Sequence, residues 1–180
     1  MRHSALTLTA LLALTSLPAF AALPVGSKAP LFTAQATLGG KEFTFKLADA
    51  LKQGPVVVYF YPEAFTPGCT IEAHDFAAAM DKYKALGATV IGVSHDQIDK
   101  LNKFSVSECQ SKFAVAVDSS QVIMKQYDAV LPQHDTYANR TSYVIAPDGT
   151  ILYTYTDMKP DQHVANTLKA IEDWKAKQGK

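Results

Sequence analysis

The segment 61–70 places Cys69, one of only two cysteines in the chain, between an apolar run and a helical pattern. The run at residues 56–61 is β-branched and aromatic throughout, which predicts a strand buried on both faces. Four apolar residues then follow with the spacing of one helix face: Ala73, Phe76, Ala77 and Met80. Cys69 is therefore expected in the first helical turn, where free backbone N–H groups and the helix dipole favour a thiolate. These residues predict a nucleophilic sulfur.

A nucleophilic cysteine also needs a cation, a hydrogen-bond donor and shielding from water. Thr66 lies three residues before Cys69, so its hydroxyl is expected in the same pocket, and Pro62 offers an apolar edge. The only arginine after Arg2 is Arg140, which precedes an apolar run typical of a strand. Its planar forked donors suit an anionic site. An ordinary surface arginine is the competing interpretation, and the residues alone do not decide between the two.

Residues 1–21 predict a cleavable secretory signal peptide. Arg2 and His3 precede a short apolar run, and Ala19-Phe20-Ala21 supplies small residues for cleavage after Ala21. The alternative, an uncleaved anchor, is disfavoured because the run is short and soon broken by Pro18. A periplasmic or secreted location is therefore expected.

Residues 22–180 are expected to form a single domain, because about 160 residues suffice for one hydrophobic core but not for two. Loss of Arg2 from a chain with 17 basic and 17 acidic residues leaves one excess acid. A near-neutral chain without a basic run carries no electrostatic footprint for nucleic acid or for an anionic membrane.

The remaining pattern predicts strands alternating with helices and therefore a mixed sheet covered on both faces. Two short strands are expected around Gly39-Gly40, within residues 31–47, as an N-terminal β-hairpin. Further strands are predicted at 56–61, 89–93, 113–117, 143–145 and 151–155. Helices are predicted at 69–84, 97–109 and 122–127 and at the C-terminal end, and residues 132–140 are expected to form an irregular polar loop.

The spacing Pro62-x-x-x-Thr66-x-x-Cys69 resembles the active-site pattern of the peroxiredoxins, and residues 66–72 are similar to their bacterioferritin-comigratory, or Q-type, branch. Residues 140–149 are similar to the later segment that carries the family's arginine. The resemblance covers residues 25–175. It implies a thioredoxin-like α/β fold, a monomer, and a peroxidase that uses no cofactor and no metal.

The resemblance also implies a role for each matching residue. Cys69 would attack hydrogen peroxide or an organic hydroperoxide, and Pro62, Thr66 and Arg140 would form its activating shell. Glu72, one turn into the helix, would orient Arg140. The oxidised enzyme would then be reduced by a thioredoxin-like protein or a small thiol.

The cycle also requires a second thiol that reduces the sulfenic acid of Cys69. Many Q-type members carry a resolving cysteine five residues after the first, where this chain has His74. Cys109 is then the one intramolecular candidate for a disulfide with Cys69. Such a bond requires residues 97–112 to change shape, since bridged Cα atoms must come within about 7 Å.

Three other interpretations remain open. The first is a single-cysteine peroxidase that has no internal resolver and relies on an external thiol. The second is a thiol–disulfide exchange protein, against which the absence of a Cys-x-x-Cys argues. The third is a secreted binding protein in which a Cys69–Cys109 disulfide is purely structural. The pairs His74-Asp75 and His95-Asp96 lack the additional ligands of a metal site, so surface polar positions are expected for them.

Overall fold

The computed structural model describes residues 22–179. Its strands are β1 Thr33–Leu38, β2 Lys41–Lys46, β3 Val56–Phe60, β4 Thr89–Ser94, β5 Ala114–Val117, β6 Val130–Leu131, β7 His134–Ala138, β8 Thr141–Ile145 and β9 Ile151–Thr156. Its helices are α1 Leu47–Leu51, α2 Pro67–Ala85, α3 Ile98–Ser107, α4 Val122–Gln126 and α5 His163–Gln178. The predicted signal peptide, residues 1–21, lies outside the described residues and stays a prediction.

Seven strands form one mixed sheet in the order β2-β1-β5-β4-β3-β8-β9. The pairs β3–β4 and β4–β5 are parallel, whereas β3–β8, β8–β9, β1–β5 and β1–β2 are antiparallel. The predicted N-terminal hairpin is confirmed, because β1 and β2 pair around Gly39-Gly40 with Leu38 opposite Lys41. Both of these glycines have positive φ, at 58° and 76°, which the tight turn requires.

The sheet is covered on both faces, as predicted. Strand β3 is fully buried, and its residues alternate between two apolar layers. Val56, Val58 and Phe60 join the layer that includes residues of α1 and α4. Val57 and Tyr59 join the layer that includes residues of α2, α3 and α5. A strand with two buried faces explains why the sequence shows a continuous apolar run there.

The predicted irregular loop at residues 132–140 is wrong. Strand β7 pairs with β6 as a small antiparallel sheet, and Ala138 at the end of β7 is buried. The ring of Tyr137 lies 4.5 Å from that of His95, so this hairpin packs beside the end of β4. A short, mostly exposed strand carries little hydrophobic signal, which explains the error. Helix α1, five residues long, also escaped prediction.

The topology brings distant residues to one edge of the sheet. Because β3 and β8 are antiparallel, the start of β8 lies beside the end of β3, with Thr141 opposite Phe60. Arg140 directly precedes β8, and the loop leading to Cys69 directly follows β3. The fold therefore places Arg140 beside the loop that leads to Cys69. Within residues 22–179, no helix combines the length and apolar character needed to cross a membrane.

Candidate active site

Cys69 lies in the first turn of α2 and is 2% exposed. The helix begins at Pro67, two residues earlier than predicted, because proline is favoured at the first helical position, where no backbone donor is needed. Thr66 occupies the N-cap position, and its carbonyl accepts a hydrogen bond from Thr70 at 2.9 Å. The sulfur is thus held at the positive end of a 19-residue helix, as the sequence predicted.

Arg140 contacts the sulfur directly. Its Nη2 lies 3.5 Å from the Cys69 Sγ, and the arginine side chain is 3% exposed. Its Nη1 donates to the Glu72 carboxylate, and its Nε donates to the Met158 carbonyl at 3.0 Å. All three guanidinium nitrogens are therefore engaged, which fixes the orientation of the fork. The structure thus buries a guanidinium against the sulfur of Cys69.

Glu72 is fully buried one turn after Cys69. Burial raises the pKa of its carboxyl group to about 8, against the opposing charge and hydrogen bond of Arg140. Its Oε2 accepts from Arg140, whereas its Oε1 has no hydrogen-bond partner within residues 22–179. The carboxyl group directs its hydrogen bonding to the guanidinium alone.

Gly68 allows the guanidinium to approach the helix. A Cβ atom at this position would lie 2.9 Å from the Arg140 Nη2, closer than real Cβ contacts permit. The nitrogen concerned is the one that faces the Cys69 sulfur. The absence of a side chain at Gly68 therefore leaves space for the guanidinium of Arg140, which lies 72 positions later in the sequence.

Gly68→Ala is expected to slow the reaction of Cys69 with hydroperoxide by about tenfold, because a displaced guanidinium no longer meets the sulfur. The fold is expected to tolerate the change, since alanine favours a helix over glycine by up to about 1 kcal/mol. The measurement is the second-order rate of Cys69 oxidation, with urea unfolding as the check on stability. The control is the same substitution in an Arg140→Met background, where no further loss is expected. An equal loss in both backgrounds would contradict the mechanism.

The loop before α2 is held by a buried carboxylate. Asp96 is 4% exposed, and its Oδ2 accepts from the backbone of Ala64 and from the hydroxyl of Ser94, each at 2.8 Å. The expectation that His95-Asp96 is a surface pair is therefore wrong for Asp96. The His95 Nδ1 donates to the Pro62 carbonyl at 3.0 Å. Sequence reasoning missed both anchors, although a polar Ser-His-Asp run after a buried strand was a usable signal.

Two further features of this loop concern Thr66 and Phe65. The hydroxyl of Thr66 donates to the Glu63 carbonyl at 2.9 Å. Phe65 has φ of 67°, in the left-handed region that non-glycine residues rarely adopt, and its side chain is 44% exposed. Its ring meets that of Phe104 in α3 edge-on at 5.2 Å. The loop is thus strained next to the cysteine and is linked to the helix that leads to Cys109.

Cys109 lies two residues beyond α3 and is fully buried. Both cysteines carry free thiols. Burial raises the pKa of the Cys109 thiol, and the charge of Glu108 adds to this effect. His74, at the position where many Q-type members carry a second cysteine, pairs with Glu108 at 2.8 Å. His74, five residues after Cys69 in α2, therefore contacts the residue that precedes Cys109.

Aromatic side chains fill the apolar layer that contains both cysteines. Tyr59 stacks on Tyr61 and on Phe76, with ring centroids 5.5 Å and 4.4 Å apart. Burial raises the pKa of both tyrosines, and the nearby Cys109 and Cys69 contribute. Both cysteines and both tyrosines thus belong to the same buried layer.

Comparison with known proteins decides the family. The sequence profile described as AhpC/TSA family matches residues 25–154. The chain belongs to this family. Members similar to it include Peroxiredoxin Bcp from Bacillus subtilis, 30% identical over 160 residues that cover 86% of this chain and 99% of that protein. Peroxiredoxin Q from the chloroplast of Triticum aestivum is 34% identical over 149 residues, covering 82% of this chain. The chain spans 66% of the length of the wheat protein.

The AhpC/TSA fold is confirmed by a solved structure. Peroxidoxin BcpB from Mycobacterium tuberculosis superposes with a TM-score of 0.75 and 26% identity, covering 83% of this chain and 96% of that one. The predicted thioredoxin-like α/β fold is therefore correct, and so is the predicted peroxiredoxin family with Q-type and Bcp relatives. Within residues 22–179, no group of three or more His, Cys, Asp or Glu side chains is arranged to hold a metal ion.

Proposed function

We propose that the protein is a thiol peroxidase that reduces hydrogen peroxide and organic hydroperoxides through Cys69. The observation that carries the proposal is the 3.5 Å contact between the Arg140 Nη2 and the Cys69 Sγ at the start of a helix. Membership of the AhpC/TSA family supports it, as do the names of its peroxiredoxin relatives.

The proposed chemistry needs no cofactor. The Cys69 thiolate attacks one peroxide oxygen, so that an S–O bond forms as the O–O bond breaks. The departing alkoxide or hydroxide takes up a proton, and the cysteine is left as a sulfenic acid. Arg140 neutralises the charge that moves from sulfur to the departing oxygen, which is the charge that develops in the transition state. Glu72 holds Arg140 in place for this task.

Thr66 and Pro62 complete the proposed site. Thr66 lies at the helix N-cap, and we propose that its hydroxyl turns from the Glu63 carbonyl to the bound peroxide. Pro62 is positioned through its carbonyl, which accepts from His95. In this scheme Pro62 limits the access of water while Thr66 and Arg140 align the two oxygens with the sulfur.

We further propose that Cys109 resolves the sulfenic acid. The Cys109 thiol gives up its proton as its sulfur attacks the Cys69 sulfur, the S–S bond forms as the S–O bond breaks, and the departing oxygen takes up that proton and leaves as water. We call residues 97–112 the Cys109 segment. Three contacts join it to the residues around Cys69: Lys100 with Glu63 at 2.7 Å, Phe104 with Phe65, and Glu108 with His74. The Cys109 segment is therefore a neighbour of the site and not a remote part of the chain.

Opening of that segment is part of the proposal, because Cys109 is fully buried. The two residues after it, Gln110 and Ser111, both adopt positive φ, at 51° and 56°. Each such residue stores of order 1 kcal/mol of backbone strain or more. A strained turn next to Cys109 lowers the cost of local unfolding, which would release the thiol.

The test is oxidation by one equivalent of hydrogen peroxide, followed by mass spectrometry of the thiols. An intramolecular Cys69–Cys109 disulfide is expected within the parent chain, and faster amide hydrogen exchange is expected at residues 97–112 after oxidation. In the matched Cys109→Ser variant, the sulfenic acid of Cys69 should accumulate. A stable sulfenic acid in the parent chain, with Cys109 still reduced, would leave a single-cysteine peroxidase that uses an external thiol.

The partners and location follow from the remaining predictions. We propose that a thioredoxin-like protein or a small thiol reduces the disulfide by exchange. The predicted signal peptide would place this exchange in the periplasm or outside the cell. The expected monomeric state also remains a prediction.

A further inference from the structure

A buried hydrogen-bond network continues beyond the pair formed by Arg140 and Glu72. His163, the first residue of α5, is fully buried. Its Nδ1 lies 2.8 Å from the Ser142 Oγ and 3.7 Å from the Glu72 Oε1. Its Nε2 lies 2.9 Å from the Asp157 carbonyl. The ring therefore joins α5, β8 and the segment after β9 to the carboxyl group that holds Arg140.

The partners of the ring decide its protonation. A carbonyl oxygen only accepts, so the Nε2 of His163 carries a proton and donates a hydrogen bond to the carbonyl of Asp157. Burial lowers the pKa of His163 to about 4, so the ring is neutral at neutral pH. The Nδ1 is then an acceptor and receives the hydrogen bond of the Ser142 hydroxyl. One tautomer satisfies both contacts.

The same segment that binds the ring also binds Arg140. Asp157 donates its backbone N–H to the Arg140 carbonyl at 3.2 Å, and the next carbonyl, that of Met158, accepts from the Arg140 Nε at 3.0 Å. His163 thus donates to the carbonyl of Asp157, and Arg140 donates to the carbonyl of the next residue, Met158. A shift of the imidazole would move both the backbone and the guanidinium.

The imidazole ring of His163 also limits the hydrogen bonds that the Glu72 carboxyl group can form. The Oε1 of Glu72 faces a His163 nitrogen that is itself an acceptor, and it has no donor within the described part of the chain. Because the lone pair of the His163 Nδ1 already accepts from the Ser142 hydroxyl, neither a carboxylate nor a carboxylic acid at Glu72 gains a hydrogen bond by turning toward α5, and the group stays directed at Arg140. In addition, Tyr155 packs edge-on against the imidazole with ring centroids 4.8 Å apart, which restricts its rotation.

We propose that His163 is a positioning residue for the peroxidase reaction, which sets the geometry of the Arg140 guanidinium at Cys69 through Glu72 and through the segment Asp157-Met158. This inference rests on the proposed function. His163 does not touch the sulfur or the peroxide, so its effect is expected on peroxide alignment and not on the general reactivity of the thiol.

Two substitutions of His163 separate the contact made by Nε2 from the contact made by Nδ1. The side-chain nitrogen of His163→Gln occupies the place of Nε2 and keeps the donor to Asp157, whereas His163→Asn places a polar atom near the former Nδ1. Ser142→Ala removes only the donor to Nδ1 and serves as the milder variant if a histidine variant does not fold. Thr167→Val is the control for loss of a buried hydroxyl on the same helix face, because that hydroxyl bonds to Tyr83 and to the backbone carbonyl of His163, each at 2.7 Å, but not to the imidazole ring.

Two rates are measured on each full-length variant: oxidation of Cys69 by hydrogen peroxide and alkylation of Cys69 by iodoacetamide. Alkylation depends on the thiolate alone, whereas peroxide reduction also depends on the direction of the guanidinium. Both histidine variants are expected to lose about tenfold or more in the peroxide rate with less than about threefold change in alkylation. Ser142→Ala should show a smaller loss with the same selectivity, and Thr167→Val should show none.

Three results would overturn the proposal. One is a peroxide rate of the folded histidine variants, or of Ser142→Ala where they do not fold, that stays within about twofold of the parent. Another is a parallel loss of both rates, which would indicate a merely structural role. The third is an equal loss in Thr167→Val. A parent chain that reacts with peroxide no faster than a free thiol would instead overturn the proposed function itself, and this result is distinguishable because it requires no variant.

Discussion

Cys69→Ser is expected to abolish hydroperoxide reduction, with a loss of at least about a thousandfold. A serine hydroxyl remains protonated where a cysteine thiol ionises, and it does not form a sulfenic acid. The measurement is peroxide consumption with excess dithiothreitol as the reductant, which bypasses the unidentified physiological partner. The protein should stay folded, because the substituted side chain differs by one atom.

The matched control for this experiment is Cys109→Ser. It should retain the first step, a single burst of peroxide consumption equal to the enzyme concentration, because Cys109 acts only after the sulfenic acid has formed. Turnover should continue when dithiothreitol takes over the second step. Full activity in Cys69→Ser would contradict the proposed site, and loss of the burst in Cys109→Ser would reassign the nucleophile.

Arg140→Met is expected to slow oxidation of Cys69 by about a hundredfold to a thousandfold, the range seen when one preorganised donor is removed from an anion-stabilising site. Arg140→Lys is expected to recover only part of the loss, since an ammonium group keeps the charge but cannot contact sulfur, carboxylate and carbonyl at once. The measurement is the second-order rate of sulfenic acid formation under single-turnover conditions.

Stability must be separated from chemistry in this experiment. Removing Arg140 leaves Glu72 buried without its partner, and breaking a buried pair costs about 3–5 kcal/mol. The double variant Arg140→Met with Glu72→Gln removes a carboxyl group that is otherwise buried either unpaired or protonated, and it should unfold at higher urea than Arg140→Met alone. Its oxidation rate should remain low. Recovery of the parent rate in the double variant would show that the arginine acts on the fold and not on the reaction.

The position of Cys69 could be predicted because local signals converge on it. A strand buried on both faces must be continuously apolar, and a helix with one buried face must repeat its apolar residues, so a cysteine between the two patterns is expected near a helix start. Arg140 was a candidate because it is a rare arginine just before a predicted strand. The residues alone left a surface position open for it, and its expected role came from the family resemblance.

The supporting residues could not be predicted in that way. The need for Gly68 arises from an approach of Arg140 that no local pattern records. His163 lies at a helix start, where a solvated histidine is common, and its burial depends on three separate elements meeting in space. Asp96 was expected at the surface because the His95-Asp96 pair lacks the additional ligands of a metal site. Such side chains are specified by tertiary contacts, and their sequence neighbourhoods resemble ordinary loops and helix ends.

The burial of the Arg140–Glu72 pair also bears on the effect of ionic strength. Dissolved ions weaken interactions between exposed charges over a distance of about 8 Å in physiological salt, but they screen buried pairs much less. Arg140 is 3% exposed and Glu72 is fully buried, and a hydroperoxide arrives as an uncharged molecule that needs no long-range attraction. The attraction between Arg140 and its partners is thus confined to the protein interior, and the rate of Cys69 oxidation is expected to change little between dilute and concentrated salt.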